Sequence, residues 1–262
     1  MKHNIAYYPS LLARKTAVTL VAHGLNLKPE AMLPLINWLA GQGSDVYLVK
    51  LSGHHPSTSI TEVQPSTWQQ EMLSGCELAT KASLDNGVPL FFLGYSLGAL
   101  LGQSVAAKYP ERVKFHRQVL IAPAFAMRQR SILIRLLFLF GKQRKVPSFS
   151  PKEYRVNKSL PLLIYDILFR EEEIVLASRF KNLNTPTLVV VDPKDELISY
   201  PRLSRQVKEF GLTNYRLLVL EHDLANRSGG YHHLIIDEPT MGKRNWEKVT
   251  SEMRQLLFAP LA

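Results

Sequence analysis

The sequence predicts an α/β domain: a mostly parallel sheet flanked by helices on both faces, interrupted by one helical insertion. Three observations lead there. Apolar strand-like runs alternate with helix-like stretches, the order that builds a parallel sheet covered on two sides. The pentapeptide Gly94-Tyr95-Ser96-Leu97-Gly98 stands directly between one such strand and one such helix. The alternation breaks off once, across 124–184, and then resumes.

Taken in order, 17–22 is a short apolar strand ending at His23-Gly24. Only sixteen residues precede it, so any opening hairpin must be short or missing. The stretch 30–40 reads as a helix, with Met32, Leu35, Ile36 and Leu39 on one face and a stop at Gly41. A strand over 46–51 leads to the loop Ser52-Gly53-His54-His55-Pro56, and 64–84 is a long helix carrying Cys76 as a small core residue. The run 88–93 is the strand before the pentapeptide, 97–109 the helix after it, and 118–122 a further strand closed by Pro123. The segment 124–184 is apolar and helical in patches, without a recognisable strand, and is interrupted at Gly141, Pro147, Pro151 and Pro161. Beyond it come a strand at 187–191, a helix at 202–210, a strand at 215–220 and a closing helix at 242–257. The expected organisation is therefore a core domain from 1–123 and 185–262, with 124–184 as an inserted helical cap.

Composition narrows the class. With 46% hydrophobic and 21% charged residues the chain is ordinary globular material, long enough for one large domain with a full core. Its single cysteine excludes an internal disulfide framework and any multi-cysteine metal site. No export-type apolar stretch follows the N-terminus and no run is long enough for a membrane span, so a soluble, cytoplasmic protein is expected. The net charge of +10 is concentrated: twelve Lys and Arg against five acids between Ala124 and Asn182 leave that segment at +7. A basic cap suits a solvated face or peripheral contact with anionic lipid. Nucleic acid is not expected as a partner, because no nucleic-acid motif accompanies the charge. Within the cap, 131–140 is apolar except for Arg135, as a lid over a greasy substrate would be.

A strand that reverses sharply into a helix holds Ser96 at strained backbone angles, presents its hydroxyl, and aims the helix N-terminal amides at any anion formed beside it. A serine hydroxyl is a weak nucleophile at neutral pH, so it needs a base, and the base needs an acid to orient it. Asp195 is the acid expected, a few residues beyond a strand end, with Asp192 and Glu196 as rivals. The base is expected in Gly229-Gly230-Tyr231-His232-His233, between the last strand and the last helix. His232 is preferred for its five-residue interval to Asp237; His233 is the alternative, and His222 a weaker third. An oxyanion needs prepositioned donors: the amide of Leu97 after the serine and, from the turn after the first strand, the amide of Leu25. His23 should brace that turn, and His54-His55 read as loop structure, since adjacent histidines do not readily chelate one ion. No cofactor and no metal are called for.

These residues resemble the α/β-hydrolase superfamily, in the branch of monoacylglycerol lipases, lysophospholipases and related carboxylesterases. The resemblance runs from about Thr16 to the C-terminus through Val21-Ala22-His23-Gly24-Leu25, Leu51-Ser52-Gly53-His54, the Ser96 pentapeptide, Asp195-Glu196-Leu197-Ile198-Ser199 and Tyr231-His232-His233-Leu234. It implies an α/β-hydrolase fold, Ser96, Asp195 and His232 as a catalytic triad, and the Leu25 and Leu97 amides as oxyanion hole. The expected function is a serine esterase acting through an acyl-enzyme on small-molecule esters with medium or long acyl chains, such as monoglycerides or lysophospholipids. A thioesterase or amidase of the same fold, or a non-catalytic homologue that keeps the pocket, are the alternatives; oligomeric state is left open.

Overall fold

The computed structural model describes residues 4–128, 137–148, 150–221 and 231–260. Among these, seven strands form one sheet: β1 (Ile5–Tyr8), β2 (Ala17–Ala22), β3 (Ser44–Val49), β4 (Leu90–Tyr95), β5 (Arg117–Ile121) and, after a separate hairpin of β6 (Lys145–Pro147) and β7 (Ser159–Pro161), β8 (Thr187–Val191) and β9 (Tyr215–Val219). The sheet order is β1-β3-β2-β4-β5-β8-β9, with β1 antiparallel to β3 and every other pairing parallel. The central strands are short runs of Val, Leu, Ile and Phe because both faces are covered; every residue of β2, β4 and β8 is buried. The described helices are α1 (Leu33–Gly41), α2 (Thr67–Asn86), α3 (Leu97–Lys108), α4 (Leu162–Ala177), α5 (Tyr200–Glu209), α6 (Glu238–Met241) and α7 (Lys243–Phe258).

In line with an opening hairpin that is short or missing, the chain starts with a single four-residue edge strand, β1, laid on β3. One feature departs from the sequence expectation. The inserted stretch also contains strand, the antiparallel β6/β7 pair. Its arms are three residues long and each ends in proline, too short for an alternating pattern to show. The apolar run 131–140 lies largely outside the described residues. At its end Leu137 and Leu139 are exposed, while Phe138 lies near Phe169 of α4, ring centroids 6.2 Å apart. Helix α4 in turn packs on α3, and its buried Glu171 accepts from Ser104 of α3 and Gln69 of α2. Burial raises the Glu171 pKa. No helix among the described residues is long and apolar enough to cross a membrane.

Candidate active site

Ser96 and Asp195 follow the carboxyl ends of the parallel strands β4 and β8, the edge at which such sheets bind ligands. At the end of β4 the chain reverses into α3, and Ser96 takes φ 51° and ψ −112°, a conformation L-residues rarely adopt. The turn is pinned by Ser96 N–H donating to the Ile121 carbonyl (2.8 Å) and by Leu100 and Ala124 amides donating to the Ser96 carbonyl (3.1 and 3.2 Å). Two glycines make the reversal sterically feasible. A Cβ on Gly94 would stand 2.5 Å from Ala99 Cα, and one on Gly98 would collide with the Ala22 carbonyl of the neighbouring strand.

The acid comes from the turn after β8. Asp195 is fully buried; its Oδ1 accepts the amides of Leu197 (2.7 Å) and Ile198 (2.8 Å), which hold the carboxylate in place and leave Oδ2 to face the histidine turn. That Oδ2 lies 2.8 Å from His233 Nδ1, and His233 Nε2 lies 2.9 Å from Ser96 Oγ. Of the two histidines it is His233, the alternative, and not the preferred His232, whose ring lies against Ser96. The His232 ring turns to Asp192 instead, Nδ1 to Oδ2 3.0 Å, and keeps more solvent access than His233. The interval to Asp237 counts residues along the chain, whereas the side chains of His232 and His233 leave the turn for different carboxylates.

Both rival acids have other partners. Asp192 organises its own turn, Oδ1 accepting the Lys194 amide at 2.8 Å, besides meeting His232. Glu196 grips the histidine turn by its backbone: one carboxylate oxygen accepts the His232 amide and the other the His233 amide, each at 2.9 Å. Tyr95, the residue before Ser96, donates its hydroxyl to the His233 carbonyl at 3.0 Å, and burial raises its pKa well above the ordinary value, keeping it a donor. His222, Gly229 and Gly230 lie outside the described residues.

On the opposite side of Ser96 the turn 23–28 is held by two buried histidines. His23 Nδ1 meets the Gly24 carbonyl (2.9 Å) and its Nε2 accepts the Leu51 amide (3.1 Å). His54 Nδ1 meets the carbonyls of Ser52 (3.2 Å) and Leu51 (3.3 Å), and its Nε2 accepts the Asn26 amide (2.8 Å). Each Nε2 must carry a lone pair, so both rings are neutral. Burial, and for His23 the neighbouring His54, drives the His23 pKa well down, and burial lowers that of His54 to about 4. In the same turn the Leu27 amide donates to Gly24 and the Lys28 amide to Tyr154. Of the four consecutive amides from Leu25 to Lys28, only that of Leu25 meets no acceptor among the described residues; the same holds for Leu97. Sequence reasoning did not single out Asn26, buried with φ 58°. Its signal is an asparagine, tolerant of the left-handed region, in the tight turn after His23-Gly24.

The family profile described as Serine aminopeptidase, S33 matches residues 13–175, more than half of the chain and including Ser96. The chain belongs to this family. The serine aminopeptidase match ends before Asp195 and His233, so those two residues are reached through geometry rather than through the profile. No curated protein matches the chain by sequence. Among solved structures, one from work on the metagenome-derived lipolytic enzymes LipS and LipT is 19% identical, with 95% of this chain and 97% of that one covered and a TM-score of 0.73. A soluble variant of monoglyceride lipase from Saccharomyces cerevisiae, in complex with a substrate analog, is 13% identical over 96% of this chain and 89% of its own, TM-score 0.73. The monoacylglycerol lipase of Paleococcus ferrophilus is 17% identical over 95% and 97%, TM-score 0.69. At these identities the likeness carries the fold. This member of the serine aminopeptidase family is a serine hydrolase with the α/β-hydrolase architecture.

Proposed function

We propose that the protein hydrolyses carboxylic esters through an acyl-enzyme, with Ser96 as nucleophile, His233 as base and Asp195 as the acid that orients it. The observation that carries this reading is the unbroken hydrogen-bond chain from Asp195 through His233 to Ser96. Ser96 Oγ attacks the ester carbonyl while its proton passes to His233 Nε2, and the imidazolium so formed is stabilised by Asp195. The oxyanion is met by the amides of Leu25 and Leu97, each worth about 10² to 10³ in rate. His233 then protonates the departing alkoxide, which leaves as the alcohol. A water, deprotonated by the same nitrogen, attacks the acyl-enzyme and releases the carboxylic acid.

For the substrate, the reading is an ester with a medium or long acyl chain, such as a monoglyceride or lysophospholipid, bound beneath 124–184 acting as a cap. The apolar run 131–140 and the +7 charge of that segment support a greasy substrate approached at an anionic lipid surface. Two of the fold's solved relatives are themselves monoglyceride or monoacylglycerol lipases.

A fluorophosphonate probe tests the chemistry. It should label the wild-type protein and not Ser96→Ala, and labelling that survives this substitution overturns the assignment. Turnover of p-nitrophenyl esters of increasing chain length, against aminoacyl p-nitroanilides and acyl-CoA, tests the substrate. Faster cleavage of an anilide or thioester than of every ester would replace the ester reading with a peptidase or thioesterase one.

A further inference from the structure

Asn26 uses every hydrogen-bonding group it has, and its partners come from two directions. Its backbone amide donates to His54 Nε2 on the core side (2.8 Å). Its other bonds go to the inserted segment: its carbonyl accepts the Val156 amide (3.1 Å), its Oδ1 accepts the Asn157 amide (2.8 Å), and its Nδ2 donates to the Asn157 carbonyl and to Ser148 Oγ (both 2.8 Å). The carboxamide thus pairs with the Asn157 backbone as a strand would. The main chain continues the pairing through the Leu27 and Arg155 bridge and the Lys28 amide on the Tyr154 carbonyl. Asn157 closes the circuit, its Nδ2 donating to the Gly53 carbonyl of the loop that carries His54 (3.1 Å).

This arrangement consumes the Asn26 amide and fixes, at φ 58°, the residue directly after Leu25. Donors to a developing oxyanion act through prior placement, and displacement by a fraction of an ångström forfeits much of their effect. We propose that Asn26 is a positioning residue for the reaction: it sets the Leu25 amide by locking the turn after β2 to the stretch 148–157 of the insertion. That stretch is then a fixed wall of the site. The inference rests on the ester-hydrolase reading, in which the Leu25 amide serves as an oxyanion donor.

Asn26→Gly keeps the left-handed backbone accessible and removes the carboxamide. The measurements are kcat and KM on a p-nitrophenyl ester, with the inhibition constant of an alkylboronic acid, whose tetrahedral serine adduct imitates the oxyanion. The expected result is a fall in kcat of about 10² with KM within about threefold, and a loss of boronate affinity that tracks kcat/KM. Ser148→Ala, which removes one acceptor on the insertion side, should lower kcat by about threefold, and it decides the matter should Asn26→Gly fail to fold. A folded Asn26→Gly with kcat within twofold of wild type, a boronate affinity that stays put while kcat falls, or an unaltered Ser148→Ala where Asn26→Gly does not fold overturns the inference alone. Wild-type protein inert to esters and to the fluorophosphonate overturns the ester reading and this inference with it.

Discussion

Two pairs of histidines flank Ser96, and they are bonded to different kinds of group. On the side of the turn after β2, the imidazoles of His23 and His54 meet only backbone carbonyls and amides and lie fully buried with ring centroids 4.8 Å apart. On the other side, the rings of His232 and His233 each face a carboxylate. A neutral ring that both donates to a carbonyl and accepts from an amide cannot take a proton without losing a bond, so the first pair is architecture. In the second pair each ring is oriented by a carboxylate at Nδ1, the arrangement a general base requires. Within that second pair it is His233 whose Nε2 lies 2.9 Å from Ser96 Oγ.

The largest expected effect separates the two competent histidines. His233→Ala should cut kcat by about 10⁴ or more, while His232→Ala should stay within about tenfold of wild type. The same contrast extends to their carboxylates: Asp195→Asn, which favours the wrong tautomer of the base, should cost about 10⁴ in kcat, and Asp192→Asn under tenfold. Equal losses in either comparison would dissolve the distinction drawn between the pairs.

The architectural pair is probed by acid. The His54 pKa falls from its ordinary 6.5 to about 4 on folding, so between those values the unfolded chain holds a proton that the folded one refuses. Stability from this group is complete above pH 6.5 and is lost as the pH falls toward 4, by roughly 3 kcal/mol, with His23 acting in the same direction. Urea unfolding at pH 7.5 and pH 5 should show about 2 kcal/mol of this loss, and His54→Gln should flatten it. A pH slope unchanged in the variant would mean that the ring is not held neutral.

The smallest effect concerns the exposed Glu196, whose two oxygens accept the amides of His232 and His233. Glu196→Gln keeps one acceptor and offers a donor where the second stood. It should lower kcat by a few-fold with KM unchanged, and a fall in KM instead would point to a substrate contact.

The fold was legible where burial leaves a simple pattern. Strands β2 and β8 coincide with the apolar runs read from the sequence because a strand covered on both faces is mostly Val, Leu and Ala, here with one threonine each, Thr19 and Thr187. The turn at Ser96 was legible because two glycines at fixed offsets are a steric necessity there. The choice between His232 and His233 was not, since adjacent residues share every feature of spacing and differ only in the direction of their side chains. Asn26 escaped notice because its role depends on Ser148 and Asn157, more than 120 residues away and inside a stretch without periodicity. Strands β6 and β7, three residues each, stabilise one another only after the loop between them has closed.

The most direct test of the account is the second-order rate of fluorophosphonate labelling of Ser96 in two single variants, His232→Gln and His233→Gln, both checked for a native melting transition. With His233 as the base beside Ser96, His233→Gln should label at least about 10³ times more slowly than wild type and His232→Gln within about threefold of it. Fast labelling of His233→Gln together with slow labelling of His232→Gln would contradict the assignment.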